Sequence, residues 1–277
     1  AGPWQMYPYP VMPLSQSGFA QVASTGPSGY SELKKHLSLS EIMALSKVGK
    51  DAQKAYKIRT EQNLPTQGPT ASHVASPEVI IDKENHQIRL YFHGLVEGSL
   101  QMTKVATSEN GIDFIAQPEL IGAPYMRVFK RAGYHYGFAM PGLMYRSKDG
   151  LKNWEIRKKW FLGPNTRHAG IHQLGNLLYV FFTRVGDAPE RVVYTTIDMS
   201  NKDWNTWTVG ETYELLEPKL GWEGGNQLPV PSIRGEVGSK VNQLRDPDIF
   251  QDDDGKLYLL YAGGGEQGIG IASLVRE

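Results

Sequence analysis

The feature that most constrains how this chain can fold is a unit of two short strands that recurs four times. Each copy opens with a polar or proline-containing turn and a short apolar strand, then reverses at Gly or Asn into an aromatic-rich strand. The copies occupy residues 73–94, 122–140, 166–184 and 244–264. A single unit of this size cannot bury its own apolar face, so the four copies are expected to pack on one another.

Three of the copies continue into a further strand followed by hairpin turns, at 100–114, 142–156 and 191–209. Four-stranded antiparallel units repeated at this spacing are typical of β-propeller blades. The sequence therefore predicts an all-β fold, a five-bladed β-propeller of four-stranded blades that forms a single domain over 1–277. A β-sandwich built from hairpins is the alternative, but a sandwich gives no reason for a polar turn ahead of every first strand.

The segment 1–72, ahead of the repeated units, has a different pattern. Ser38 and Glu41 fit a capping box, and the apolar residues that follow recur on one helical face. We therefore expect one short helix near 38–57, inside a segment that wraps the propeller. The stretch WQMYPYPVMPL, residues 4–14, is expected to supply strands of the closing fifth blade.

Composition excludes several classes of function. The chain has 29 basic and 29 acidic residues, so no net charge favours nucleic acid or an anionic membrane as a partner. It has no Cys, which excludes disulfides, thiolate metal sites and a Cys nucleophile. No apolar run approaches the roughly 18 residues of a membrane span. The first residues lack the basic and apolar regions of a signal peptide, and the sequence leaves cytoplasmic and exported locations, and the oligomeric state, open.

Several stretches of the repeated region resemble the five-bladed β-propeller glycosidases. The resemblance is to the arabinanase and β-xylosidase group and to the invertase and levansucrase group, whose RDP motif matches Arg245-Asp246-Pro247. The region is also similar to an uncharacterised bacterial group of glycosidase-like propellers. The stretches that carry this similarity are HVASPEV (73–79), PYMRVF (124–129), GDAPERVVY (186–194), WEGGN (222–226) and QLRDPDIF (243–250).

The resemblance implies glycoside hydrolysis at the central channel by an Asp base or nucleophile, a second Asp and a Glu general acid. Only Asp246 matches this set directly. Ser76 and Ala123 stand where the resemblance expects Asp, and the third copy carries Arg167-His168-Ala169. A glycoside hydrolase acting on an oligo- or polysaccharide is therefore the leading hypothesis. A non-catalytic carbohydrate-binding propeller is the alternative, and a protein-interaction propeller is a third possibility.

The catalytic candidates are carboxylates near strand starts. Asp246 has a cation beside it in sequence and is assigned the ionised role. Glu190 and Glu223 are the first choices for the general acid, and Glu78 is a further candidate. For Asp246, Glu190 and Glu223 the alternative is a structural ion pair with a neighbouring arginine. Asp248 shares the Asp246 side of an ideal strand.

Nine further residues at strand starts or with ring side chains are expected to bind substrate: His73, Tyr125, Arg127, Arg167, His168, Asp187, Trp222, Arg245 and Glu266. The arginines suit an anionic sugar, because guanidinium binds carboxylate and sulfate in bidentate fashion; alternatively, they neutralise nearby acids. The spacing of His73, His168 and His172 fits no local metal motif, so no metal ligand is predicted. The resemblance implies a calcium ion on the channel axis as the alternative.

Overall fold

The computed structural model describes residues 6–19, 72–97 and 100–275, together with residues 50, 54, 57, 58, 60 and 61. Over these residues the chain is an all-β propeller of four antiparallel blades. In blades 1, 2 and 4 the strands pair in chain order, so that the first strand is the innermost. The first strand of each blade contacts the first strand of the next blade along the chain.

Blades 1 and 2 have four strands each. Blade 1 comprises β1 (Val74–Asp82), β2 (Gln87–Glu97), β3 (Leu100–Ser108) and β4 (Ile115–Ala116). Blade 2 comprises β5 (Arg127–Arg131), β6 (Tyr134–Ala139), β7 (Leu143–Ser147) and β8 (Glu155–Ile156).

Blade 3 has five strands, and blade 4 has three. Blade 3 comprises β9 (Thr166–Leu174), β10 (Leu177–Arg184), β11 (Val192–Asp198), β12 (Thr208–Val209) and β13 (Tyr213–Leu216). Its fifth strand, β13, pairs with β11 beyond the end of β12. Blade 4 comprises β14 (Leu244–Gln251), β15 (Leu257–Gly263) and β16 (Gly268–Leu274).

The predicted repeat is confirmed, because each of its four copies contains the first two strands of one blade. The aromatic-rich second strands supply the cores between blades, as predicted. Phe138 of blade 2 and Phe182 of blade 3, for example, lie in one buried cluster. Burying each such side chain stabilises the fold by roughly 1.5–3 kcal/mol. Apolar packing between neighbouring blades therefore holds the four sheets together.

The predicted fifth blade is not found in the part of the chain that the structure describes. Residues 6–19 contain no strand, only a short 3-10 helix at Leu14–Gln16. Proline lacks the N–H that a strand ladder needs, and three prolines fall within 4–14, so these residues are poor strand formers. Instead, Phe19 packs edge-on against Phe92 in the core of blade 1, with ring centroids 5.7 Å apart. The prediction that 4–14 adds strands is wrong over the described residues 6–14.

Most of the helix predicted at 38–57 lies outside the described residues. The three residues of this range that are described, 50, 54 and 57, are helical. The wrapping role of the segment stays a prediction. At the other end of the chain, Asp252–Gly255 forms an exposed hairpin turn between β14 and β15, as predicted, with the Gly255 amide donating to the Asp252 carbonyl.

Gly170 of β9 allows blades 3 and 4 to approach each other. A Cβ at this position would lie 2.8 Å from the Asp248 Cα and 2.9 Å from the Pro247 carbonyl oxygen. Both are backbone atoms, so neither can move aside cheaply.

We therefore expect Gly170→Ala to lower the free energy of unfolding by about 1–3 kcal/mol, the usual effect of overpacking. Urea unfolding at equilibrium measures the change. Gly163→Ala is the matched control, because a Cβ there meets no atom within 4 Å, and it should change stability little. Equal effects of the two substitutions would show that the close approach at Gly170 is unimportant.

Candidate active site

The starts of the inner strands are irregular, and the irregularities lie at one end of the propeller. Register shifts interrupt β1 between Ala75 and Glu78 and β14 between Arg245 and Asp248. β9 has a shift at the same end, opposite the end of β10. Such bulges redirect side chains and are common beside active sites.

Three residues at these starts adopt left-handed backbone conformations that are rare for residues other than glycine. They are Ser76 (φ 50°), Tyr125 (φ 59°) and Asp246 (φ 49°). Each such residue costs of order 1–3 kcal/mol and persists only where the surrounding structure enforces it. Their occurrence in three different blades marks this end of the channel as a candidate site.

Contacts across the channel bring the strand starts of all four blades together. Arg127 of blade 2 lies between Glu78 of blade 1 and Asp248 of blade 4. His168 of blade 3 meets Asp246 of blade 4. Blades 2 and 4 are not neighbours, so the Arg127–Asp248 contact reaches across the axis. We call the residues Ser76, Glu78, Tyr125, Arg127, His168, Asp246 and Asp248 the channel mouth.

Asp246 is held by His168. The Oδ1 atom of Asp246 contacts the Nδ1 atom of His168, and the His168 ring stacks on Tyr125 with centroids 3.5 Å apart and an interplanar angle of 20°. Burial raises the pKa of Asp246, but His168, Arg245 and Arg167 outweigh it and hold that pKa at about 2. The Asp246 side chain is 38% exposed, so an ionised carboxylate is accessible at the mouth.

Glu78 lies in the opposite electrostatic environment. Burial, opposed by Arg127 and reinforced by Asp248, raises the pKa of Glu78 to about 7. The Arg127 Nε atom is 3.7 Å from the Glu78 Oε2 atom and 3.7 Å from the Asp248 Oδ1 atom. The two carboxylate oxygens are therefore no further apart than twice that distance.

Ala123, which the sequence places at a catalytic position, lies away from the channel mouth. It is buried; its amide donates to the Tyr145 hydroxyl, and its carbonyl accepts from the Thr103 hydroxyl. Tyr125, two residues on, has the left-handed conformation that Ser76 and Asp246 share. Sequence alignment on the prolines hides this offset of two residues, because Pro124 precedes the left-handed residue whereas Pro77 and Pro247 follow it.

Glu190 braces blades 3 and 4 and does not face the channel. It has no exposed surface, and its Oε1 atom accepts from the Thr183 hydroxyl at 2.7 Å. The Arg167 Nε atom lies 2.7 Å from Oε1, and the Arg245 Nε atom lies 3.7 Å from Oε2. Since a general acid must reach the substrate, this placement does not fit the catalytic role predicted for Glu190.

Glu223 is likewise enclosed. Its Oε1 atom accepts from the Tyr261 hydroxyl at 2.6 Å, and its Oε2 atom accepts from the amides of Lys219 and Leu220. Burial raises its pKa, but these hydrogen bonds outweigh the burial and lower the pKa below its usual value. A general acid at neutral pH needs the opposite shift. Glu223 stabilises the 219–225 turn, which does not fit the predicted acid role.

Arg167 and Arg245 face inward with Glu190. The Arg245 guanidinium donates to the Gln243 side chain, to the Gly235 carbonyl and to Glu266. Arg167 donates to the Ile233 carbonyl; burial and the nearby Arg245 lower its pKa to about 10, with Glu190 opposing. Both guanidinium groups lie against the buried Glu190 carboxylate and are themselves almost fully buried.

The other histidines, acids and aromatic residues singled out in the sequence lie outside the channel mouth as defined above. Asp187, in the loop that joins β10 to β11, lies 3.4 Å from Arg184. Trp222 stacks on Tyr261 of β15, the second strand of blade 4, rather than on an inner strand. His73 immediately precedes β1, and its Nε2 atom is 3.2 Å from the Gln101 side chain. His172 lies further along β9, opposite Tyr179.

His93 is a residue of this region that the sequence did not indicate. It is fully buried, its ring lies 4.1 Å from that of Tyr125, and neither ring nitrogen has a hydrogen-bond partner. Burial, with help from His168, His73 and Arg127, lowers its pKa well below the usual range. Its position in the strand YFHG is typical of core, so no pattern separates it from core residues.

A calcium ion on the channel axis does not fit the described residues. Calcium prefers six to eight oxygen ligands. Across 6–19, 72–97 and 100–275, no three His, Asp or Glu side chains are grouped to hold a metal. The rings of His93, Tyr125 and His168 lie in contact with one another at this end of the propeller, and two of them are imidazoles. We therefore derive no chemistry through a metal.

No protein-family model matches the chain. It is 34% identical over 231 residues to the uncharacterized protein R118 of Acanthamoeba polyphaga mimivirus, an alignment that covers 76% of this chain and 64% of that protein. The chain thus spans just under two thirds of its viral relative. Assignment to a bacterial group stays a prediction.

Solved structures with the same fold are carbohydrate enzymes. A glycosyl hydrolase from Bacteroides ovatus is 10% identical with a TM-score of 0.52, covering 72% of this chain and 64% of that one. A thermostable family-43 glycoside hydrolase is 16% identical with a TM-score of 0.50, covering 76% and 70%. The β-1,2-mannobiose phosphorylase of Listeria innocua is 12% identical with a TM-score of 0.51, covering 76% and 74%.

At these identities the similarity concerns the fold. The chain has the β-propeller fold of glycoside hydrolases, as its sequence motifs indicate. Within the described residues, no helix is long and apolar enough to cross a membrane.

The brace at Glu190 can be tested by its removal. We expect Glu190→Ala to lower the free energy of unfolding by about 3–5 kcal/mol, because Arg167 and Arg245 would stay buried without their shared carboxylate. Chemical denaturation at neutral pH measures the loss. Glu155→Ala removes an exposed partner of Arg146 and should cost less than about 1 kcal/mol. A loss at Glu190 no larger than at Glu155 would contradict the brace.

Proposed function

We propose that this protein is a glycosidase that acts on a carbohydrate at the channel mouth. The observation that carries the proposal is a pair of carboxyl groups there with widely separated pKa values, about 7 for Glu78 and about 2 for Asp246. Environments that push two carboxyl pKa values apart are what acid and base roles at neutral pH require. The carbohydrate enzymes that share the fold support the choice of substrate class.

In this proposal Glu78 replaces Glu190 and Glu223 as the general acid. The protonated Glu78 carboxyl gives its proton to the glycosidic oxygen as the bond from that oxygen to the anomeric carbon breaks. Positive charge then develops on the sugar ring. The ionised Asp246 carboxylate then acts in one of two ways. If it attacks the anomeric carbon, a water later displaces it from that carbon and gives its proton to Glu78. If it instead takes a proton from the incoming water, the water oxygen bonds to the anomeric carbon, Asp246 releases that proton to solvent, and Glu78 takes a proton from solvent.

His168, Tyr125 and Arg127 have positioning and binding roles. Because the Asp246 carboxylate can only accept a hydrogen bond, the His168 Nδ1 atom carries the proton between them. This contact fixes Asp246, and the stacked Tyr125 ring fixes His168 in turn. Arg127 faces the carboxyl groups of both Glu78 and Asp248 through its Nε atom.

A non-catalytic carbohydrate-binding propeller is the second candidate. It is favoured by the inner-strand residues themselves, since Ser76, Tyr125 and His168 stand where three blades of a hydrolase would be expected to offer carboxylates. Binding without turnover of any glycoside would support this candidate.

The pH dependence of turnover tests the proposed acid. Activity on aryl glycosides should fall as pH rises through about 7, because Glu78 then loses the proton it must donate. Glu78→Gln should reduce kcat by roughly 10²–10⁴-fold and remove the alkaline limb. Asp246→Asn should reduce kcat at every pH, since the ionised group is missing throughout.

Asp253→Asn is the control, because it removes one exposed carboxylate from the far end of the same blade. It should leave the profile unchanged. An unaltered alkaline limb in Glu78→Gln would exclude Glu78 as the acid. Parallel assays with and without inorganic phosphate would separate hydrolysis from phosphorolysis, the reaction that the name of the Listeria innocua enzyme indicates for that protein.

A further inference from the structure

The charges at the channel mouth are sorted by depth. Two carboxylates of the mouth and the neighbouring Glu266 reach solvent, with side-chain exposures of 47% for Asp248, 38% for Asp246 and 36% for Glu266, whereas Glu78 is 17% exposed. The guanidinium groups do not. Side-chain exposures are 11% for Arg127, 5% for Arg167 and 2% for Arg245. An approaching ligand therefore meets negative charge first.

The three arginines are also committed to partners inside the protein. Arg245 donates hydrogen bonds to Gln243 and Glu266, and Arg167 forms an ion pair with Glu190. Arg127 lies between two carboxylates and donates to the Pro77 carbonyl at 3.4 Å. Each of these guanidinium groups is largely enclosed and already faces a carboxylate of the protein. Bidentate capture of a uronate or sulfate, which the arginines suggested in the sequence, would have to compete with these carboxylates.

Other cations at this end of the propeller are paired as well. Arg184 ends β10 and lies 3.4 Å from Asp187. Arg191, at the start of β11, lies 2.6 Å from Glu214. The His168 ring at the mouth faces Asp246 with its Nδ1 atom. These groups do not reverse the sign that the exposed carboxylates give to the surface.

We propose that the channel mouth favours sugars that carry an ammonium group over their neutral counterparts and rejects sugars that carry a carboxylate or sulfate. This inference rests on the proposed function and names the substrate class of that site. The physical cause is Coulomb attraction of the ammonium to Asp248 and Asp246, which lie two residues apart on β14. Because the carboxylates are partly solvated, the preference is that of a surface ion pair, roughly two- to fivefold in affinity, and it weakens with salt.

The test is calorimetric titration of the protein with three sets of methyl glycosides. Each set has one ring configuration (gluco, galacto or manno) and contains the 2-amino sugar, the neutral sugar and the uronate. Titrations are run at low and at high salt, at a pH where the amine is protonated. The expected order of affinity in a ring that binds is amino sugar, then neutral sugar, then uronate, and high salt should compress it.

Two variants separate charge from shape. Asp248→Asn keeps the size of the side chain and should remove most of the amino-sugar preference while leaving the neutral sugar bound. Asp253→Asn removes an equal charge from the opposite end of blade 4 and should leave the preference intact. Urea unfolding midpoints close to that of the unsubstituted protein establish that both variants are folded.

The outcomes distinguish this inference from the proposed function. A uronate that binds as tightly as the neutral sugar, or an amino-sugar preference that survives Asp248→Asn, would overturn the inference and leave the proposed function standing. Failure of every sugar to bind would overturn both.

Discussion

The arrangement of the channel mouth depends on a buried ion network between blades 3 and 4. Glu190 lies between Arg167 of β9 and Arg245 of β14, and each arginine directly precedes a mouth residue. By holding Arg167 and Arg245 inward, the network turns His168 and Asp246 toward each other at the mouth. A buried ion pair of this kind adds little net stability over apolar packing, but its disruption is costly, which makes it a device for fixing register.

The fold could be predicted from the sequence because propeller blades repeat. The polar turn, apolar strand and aromatic strand recur in each copy, and the aromatic strands carry the packing between blades, so local pattern and global fold agree. The prediction of a fifth blade was wrong in the part of the sequence where the repeat pattern is weakest. In the proline-rich residues 6–14, Tyr7 and Tyr9 are exposed, whereas Met12 and Leu14 pack in the core of blade 1 without forming a strand.

The site was predictable only in part, because a linear sequence does not reveal which way a charged residue faces. Asp246, His168 and Arg127 do meet at the mouth. Glu190 stands beside Arg191 in sequence, yet its buried partners are Arg167 and Arg245, which no spacing indicates. Depth of burial decides whether a carboxylate near an arginine is a brace or an acid, and burial is a property of the packed blades.

Glu78 was the most difficult to rank, although a signal was present. Ser76-Pro77-Glu78 repeats the spacing of Asp246-Pro247-Asp248, so Glu78 and Asp248 follow equivalent bulges in blades 1 and 4. The spacing does not predict the pKa of the carboxyl groups. Asp246 is accessible and lies against the His168 imidazole. Glu78 is largely buried between β1 and β5, and its partner Arg127 also faces the Asp248 carboxylate. Two carboxyl groups of the same channel mouth, Glu78 and Asp246, thus have pKa values about five units apart.

That separation has a thermodynamic consequence for the whole fold. The pKa of Glu78 rises from 4.5 to about 7 on folding, so the folded state binds its proton more tightly than the unfolded chain does. The resulting stabilisation is complete below the unfolded pKa and is lost as pH rises through about 7. By the usual 1.4 kcal/mol per pKa unit, the loss is of order 3 kcal/mol. The chain retains a carboxyl group that weakens it at alkaline pH, at the one position where Arg127 can hold it opposite Asp248. Glu78 therefore weakens the fold when it is ionised, and the protonated form that the fold favours is the form that the proposed acid role requires.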